Sequence, residues 1–192
     1  FHLKEELGYD QGFANSDRIF RVTQEGLGHD TRHWAATSPP LAFSLQQQFP
    51  EIKTTARFYR PYPNQVLSYT PLKGEVKRFE ETGGFFADSD AIGMFDIPFT
   101  QGNAENALSG TDAIVISEEM AKKYFAGEDP LGKTMMIDQG KVPLRVTGVF
   151  KSYSFNTHLH FDYLLSMNTT LHYLDRPSMA NRTWNAFYTY LL

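Results

Sequence analysis

TDAIVISEEMAKKYFAGEDPLGKTMMIDQGKVPLRVTGVFK, residues 111–151, carries the clearest structural reading in the chain. Ile114 to Ile116 form a short apolar run of the kind that becomes a buried strand. Ser117 follows as a helix N-cap, with Glu118 and Glu119 in the first turn and Lys122 and Lys123 later on. That order of charge suits the helix dipole. Met120, Tyr124 and Phe125 are expected to face the core, and Gly127 to stop the helix. Residues 133–138 and 144–151 then read as two strands around Gln139-Gly140. The stretch predicts strand, helix, turn, strand, turn, strand, and none of its groups looks built for bond making.

Working outward, residues 17–25 and 31–37 read as strands separated by Gly26 and Gly28. The N-terminal FHLKEEL reads as the end of a helix stopped by Gly8. Ser38-Pro39-Pro40 predicts a helix start, with Ser38 as cap and Leu41, Leu45 and Phe49 on one face until Pro50. Residues 52–60, 65–70 and 75–81 read as strands, the last two as a hairpin around Lys73-Gly74. A short helix is expected near 89–95 within an aromatic segment, and a turn or helix over 103–108. HLHFDYLLSM (158–167) reads as a strand, 169–180 as weakly helical and 184–192 as a final strand.

Composition narrows the function classes. Hydrophobic residues make up 41% of 192 positions and aromatics 15%, with Phe 16 and Tyr 10. A full core is therefore within reach, with a bias toward strands. The net charge of −4 with no basic block argues against nucleic-acid partners. No apolar run approaches the ~18 residues of a membrane helix. Cys is absent, which excludes disulfides and thiolate chemistry. Phe1 is not a natural start and AFYTYLL stops within a strand pattern, so a fragment of a longer protein is expected. Asn168-Thr169-Thr170 and Asn181-Arg182-Thr183 fit the glycosylation pattern, but so short a pattern carries no weight.

Candidate chemistry is sparse. His158 and His160 on one strand would share a face and could hold a metal, with Asp162 as the nearest carboxylate. A structural or surface role is the preferred reading of both histidines. GEDPLGKT (127–134) matches the phosphate-loop pattern letter for letter. It follows a helix and opens a strand, the reverse of a working phosphate loop, and Glu128, Asp129 and Pro130 oppose anion binding. A helix end followed by a tight turn explains it better. Glu80-Glu81 reads as a solvated strand end, and Asp88 and Asp90 as further carboxylates with no visible cleft. Arg57 and Arg60, near Tyr59 and Tyr62, are an anion or partner patch in one reading and plain sheet-edge charges in the preferred one. No G-x-S-x-G elbow occurs. No residue is assigned a catalytic, cofactor or metal role.

Six segments, in order, resemble the MacB-like periplasmic core domain of ABC transporter permeases, the MacB/FtsX group, in its Bacteroidetes-type variety. They are ELGYDQGFANSDRIFRV (6–22), SPPLAFSLQQQFPEI (38–52), FFADSDAIGMFDIPFTQGNAENAL (85–108), AIVISEEMAKKYFAGEDPLGKTM (113–135), LRVTGVFKSYSFNTHLHFDYLLSM (144–167) and WNAFYTYLL (184–192). The resemblance implies an α+β fold: a βαβ-rich Porter-like subdomain, 12–82 plus 161–192 and C-terminally incomplete, interrupted by a smaller β-rich Sabre-like subdomain, 83–160. It implies a non-catalytic periplasmic domain of an inner membrane protein, without cofactor, that passes on ATP-driven motion and contacts partner or cargo. The implied partners are a second permease copy, a cytoplasmic ATPase domain or subunit and a periplasmic adaptor. A free-standing extracytoplasmic ligand-binding module is the alternative, and a metal enzyme at His158, His160 and Asp162 a third.

Overall fold

The computed structural model describes residues 10–25, 33–60, 64–137, 140–153 and 157–192. The expected N-terminal helix, and Tyr62, lie outside these residues. The central strands are β4 (Thr55–Tyr59), β9 (Ala113–Ser117) and β12 (Tyr163–Ser166), and every residue in them is buried. β9 and β12 are near-continuous apolar runs, as expected where both faces of the sheet are covered. Around them lie β1 (Phe20–Arg21), β5 (Gln65–Tyr69), β6 (Lys77–Glu81), β7 (Gly84–Ala87), β8 (Phe99–Gly102), β10 (Thr134–Ile137), β11 (Val142–Phe150) and β13 (Phe187–Leu191). The order is β1-β13-β4-β7-β12-β9-β11-β10-β5-β6, with β8 added on β11. β9 with β11 and β7 with β12 are parallel, and the other pairs antiparallel. This mixed sheet with few helices is the expected α+β class. A separate small ladder joins β2 (Gln24–Glu25) to β3 (His33–Trp34).

One hairpin makes the sheet curl. Phe58 pairs with Ala87 at its base, and Gln65 with Glu81 farther out. The same two chain segments thus supply β4 and β7, then β5 and β6. In a flat sheet β6 would lie six strand positions from β7, or about 29 Å at about 4.8 Å each. Glu81 and Gly84 are three residues apart and can span at most about 11 Å. The sheet must therefore bend until its far end returns to its middle.

The concave side holds the helix α3 (Glu118–Phe125). Met120, Tyr124 and Phe125 pack there with Tyr69, Leu67, Ile114, Ile116 and Val146. Ser117 caps it by accepting from the Met120 N–H, as expected. Its left-handed exit starts one residue earlier than expected, at Ala126, with Gly127 continuing it. On the opposite face α2 (Asp90–Met94) buries Ala91, Ile92 and Met94 against Phe58, Phe95, Val115 and Leu164. The last helix, α4 (Arg176–Met179), follows a 3₁₀ turn at Met167–His172.

Several local expectations change. The strand expected over 17–25 is two short pieces, because β1 pairs with β13 and β2 leaves to pair with β3. In α1 (Leu41–Gln48) the cap position is Pro40 without a side-chain bond, and Ser38 is buried. Ala42, not the Leu41-Leu45-Phe49 face, is the buried contact, and Phe49 is half exposed. A small residue lets α1 approach β4 closely, which overrides the longer apolar stripe. The strand of 158–167 is shorter than expected: it begins only at Tyr163.

Gly84 sits directly opposite Tyr163 in the parallel pair. A Cβ on Gly84 would lie 1.9 Å from the Tyr163 ring. The ring covers the bare backbone, an arrangement that rescues a glycine inside a strand. Tyr163 is itself buried and has nowhere to move. Gly84→Ala is expected to lower stability by about 1–3 kcal/mol, measured by urea unfolding. A neutral result would mean that the ring can swing aside.

Candidate functional site

Among the described residues, three of the polar groupings link elements far apart in the chain. The first joins β4 to the turn after β7. Arg57 lies on the central strand β4 and is 5% exposed. Its Nε donates to Asp88 Oδ2 at 2.8 Å and its Nη2 to Oδ1 at 2.9 Å. Its Nη1 donates to the Pro39 carbonyl at 2.8 Å, just before α1. The Phe43 ring of α1 covers the guanidinium at 4.4 Å. The expectation of a sheet-edge charge fails for Arg57, because β13 and β7 flank β4 on both sides. A buried cation persists there because a two-pronged carboxylate and a carbonyl satisfy its donors. Arg60 lies just beyond the strand, donating to the Thr82 carbonyl with its guanidinium over Phe85. Asp90 stands apart, in the first turn of α2.

The second centre clasps the outer hairpin to α3. Glu81 Oε1 accepts from Tyr124 Oη and Lys123 Nζ, each at 2.7 Å. Lys123 also lies over the Phe79 ring at 4.4 Å. Burial, then the neighbouring Glu81 carboxylate, pushes the Tyr124 hydroxyl well above the usual phenol range. Tyr124 therefore stays a proton donor. Glu81 is buried, contrary to the expectation of a solvated strand end; Glu80 alone fits that expectation, exposed and bonded to Asn64. The curl of the sheet carries Glu81 inward, and no local pattern announces it.

The third centre ties the start of the described chain to its end. Asp10 accepts from the Thr157 hydroxyl and the His158 N–H, and its carboxylate meets His158 Nδ1. The other ring nitrogen, Nε2, lies 3.0 Å from the Tyr190 hydroxyl on β13. Partial burial raises the Asp10 pKa, but the Thr157 and His158 hydrogen bonds outweigh it and hold the carboxyl below its usual range. Burial pushes Tyr190 up to about 12.

The histidine pair does not share a strand face. Both residues precede β12, and His158 turns toward Asp10 while His160 and Asp162 line a groove of about 190 Å³ with Phe150, Tyr153 and Leu159. Loss of hydration, then the charges of Glu81 and Glu119, raises the Asp162 carboxyl. Among the described residues no three His, Asp or Glu side chains are arranged to hold a metal.

The phosphate-loop look-alike is a helix exit and turn, as its context predicted. The Gly132 N–H donates to Val146, Leu131 N–H to the Asp129 side chain and Lys133 N–H to Pro130. Lys133 Nζ meets Glu128 at 3.2 Å. The Leu131, Gly132 and Lys133 amides are thus engaged within the protein, and the Lys133 ammonium pairs with Glu128.

The exposed surface carries a different kind of feature. Leu72 at the hairpin tip is 94% exposed, with Val76 and Phe79 also open, and β6 ends the sheet order. The arrangement as a whole can hold rigid layers together and present an edge.

The family model described as MacB-like periplasmic core domain matches residues 6–191. The chain belongs to the MacB-like periplasmic core domain family. Solved structures agree in fold. A domain of a putative permease protein from Porphyromonas gingivalis superposes with a TM-score of 0.75 at 24% identity, over 93% of this chain and 76% of that one. The periplasmic region of MacB from Actinobacillus actinomycetemcomitans gives 0.60 at 18%, over 90% and 72%. The extracellular domain of the noncanonic ABC-type transporter YknZ from Gram-positive bacteria gives 0.56 at 14%, over 91% and 83%. No curated protein matches the sequence significantly. Members of this family are periplasmic domains of ABC transporter permeases, which work with ATPase subunits. No helix among the described residues is long and apolar enough to cross a membrane.

Proposed function

We propose that this MacB-like domain is a force-transmitting body of its permease: ATP-driven movement below the membrane reaches it through membrane helices and changes its contacts with partner or cargo. The observation that carries the reading is the pairing of β1 with β13, Phe20 with Leu191, at one edge of the sheet. Among the described residues the earliest and latest strands lie side by side, and a displacement of either acts on one edge of the sheet. β13 continues into β4 through five residue pairs, and Arg57-Asp88 and Asp10-His158 lock that edge to the layers on both faces. Such a body can only pass on motion for which its two states differ in contacts.

The division into a Porter-like part, 12–82 with 161–192, and an inserted Sabre-like part, 83–160, belongs to the same proposal. Within 83–160, β9, α3, β10 and β11 are consecutive in sequence and pack together, and the β5–β6 hairpin of the 12–82 part joins them through β10 and Glu81. The partners under this reading are a second permease copy, a cytoplasmic ATPase and a periplasmic adaptor, with the permease in the inner membrane.

The test is coupling in the membrane-embedded permease with its ATPase. Arg57→Lys, which loses the two-pronged bond to Asp88, is expected to reduce transport several-fold while ATP hydrolysis continues, at a temperature where circular dichroism shows the domain folded. Unchanged transport would count against transmission through this edge. Calorimetry of the isolated chain with Mg-ATP is expected to show no binding heat, and clear affinity would contradict the reading outright.

A further inference from the structure

We infer that the outer edge of β6 is where a second copy of this chain pairs, by antiparallel strand addition centred on Phe79. This deepens the two-copy arrangement proposed above and rests on it. β6 is the last strand of the sheet order, and among the described residues no strand pairs with its outer side. Its backbone therefore offers a row of open N–H and C=O groups. Lys77 is half-buried and Arg78, Phe79 and Glu80 are exposed, so the edge is reachable.

The sequence of β6 is Lys77-Arg78-Phe79-Glu80-Glu81. It is charge-symmetric about its centre: two cations, one aromatic, two anions. In an antiparallel pair about Phe79, Arg78 opposes Glu80 of the second copy, and Lys77 opposes its Glu81. The two-fold axis makes each pairing occur twice and sets the two Phe79 residues opposite each other, on the face where each ring also packs against Tyr124 and Lys123. Opposite charges directly across an antiparallel ladder attract, and facing aromatic rings add to them. A parallel in-register pair would set Lys77 on Lys77 and Glu80 on Glu80, and like charges there repel. The charges that would discourage edge pairing in general thus permit one orientation and one register. Val76, exposed beside the start of β6, extends the apolar part of the edge.

Arg78 and Glu80 carry the specificity. Glu81 already holds Lys123 and Tyr124 on the α3 side, whereas Arg78 and Glu80 lie on the opposite face of β6 by strand alternation. A five-residue edge buries less than the roughly 1,000 Å² of a stable free dimer. The pairing is therefore weak in solution and becomes effective where a membrane holds two copies at about millimolar effective concentration.

The experiment is a charge swap read by sedimentation equilibrium of the chain up to about 1 mM, the effective concentration of a short tether. The native chain is expected to self-associate. Arg78→Glu and Glu80→Arg are each expected to weaken association at least tenfold, since each sets like charges across the axis. An equimolar mixture of the two variants, and the double variant Arg78→Glu/Glu80→Arg, are expected to restore it. Both residues are exposed, so the fold is retained. The lack of cysteine permits a second readout: Phe79→Cys should oxidise to a disulfide dimer, because opposed Cα atoms lie about 4.5–5.5 Å apart. Leu72→Cys serves as the exposed control. Association indifferent to the swaps, with Phe79→Cys no faster than Leu72→Cys, overturns this edge but leaves the two-copy reading standing. A chain that stays monomeric throughout also overturns the edge as a self-pairing site and leaves it to a strand of another protein. Failure of coupling in the permease with the swaps intact would overturn the transmission reading alone.

Discussion

Replacing Asp88 by Ala is expected to lower the stability of this domain by about 3–5 kcal/mol. The substitution leaves the Arg57 guanidinium in the interior, 5% exposed, with the Pro39 carbonyl as its remaining side-chain acceptor. Both prongs of the ion pair disappear, and so does the acceptor of the Arg57 backbone N–H, at 2.9 Å from Asp88 Oδ2. An uncompensated buried charge is more costly than the loss of the attraction itself, because water cannot reach it. For a domain of this size the loss corresponds to a melting-temperature drop of roughly 6–20 °C. The double variant Arg57→Met/Asp88→Leu removes both charges together and should recover most of the loss. Urea unfolding of both variants checks the idea. A loss under about 1 kcal/mol for Asp88→Ala would show that solvent reaches Arg57.

Phe58→Ala is expected to be comparably severe, at about 3–5 kcal/mol. Phe58 is 2% exposed on β4. Its ring meets Phe95 and Tyr190 edge-on at 5.7 Å and Phe85 at 6.0 Å. These partners come from the α2 segment, from β13 and from β7, so the ring joins three chain segments on one face. Truncation opens a cavity among rigid rings, which cannot collapse to fill it. Phe20→Ala, on an exposed ring of the edge strand β1, is the matched control and should change stability by less than about 0.5 kcal/mol. Equal losses for the two variants would mean that this face is loosely packed.

Local signals made much of this legible. Ile114–Ile116, Ser117 and the Glu-then-Lys order of 118–123 specified a strand, a cap and a helix, because capping and dipole effects act within one turn. The hairpin around Lys73-Gly74 was equally plain, since turn chemistry is local. The context of GEDPLGKT, after a helix and before a strand, was enough to explain it without a phosphate. The ordered set of six segments was enough to point to the family.

What the sequence by itself determined was therefore the element types, the α+β class and the family. Only the tertiary structure decided where the charges went. Arg57 became a buried linchpin instead of an edge charge because β13, from the far end of the chain, closes over β4. Glu81 turned inward because the hairpin bends the sheet onto α3. His158 left its companion histidine for Asp10, 148 residues away. Each of these outcomes depends on contacts between residues far apart in the chain, and side-chain identity at one position carries no record of which distant partner will arrive.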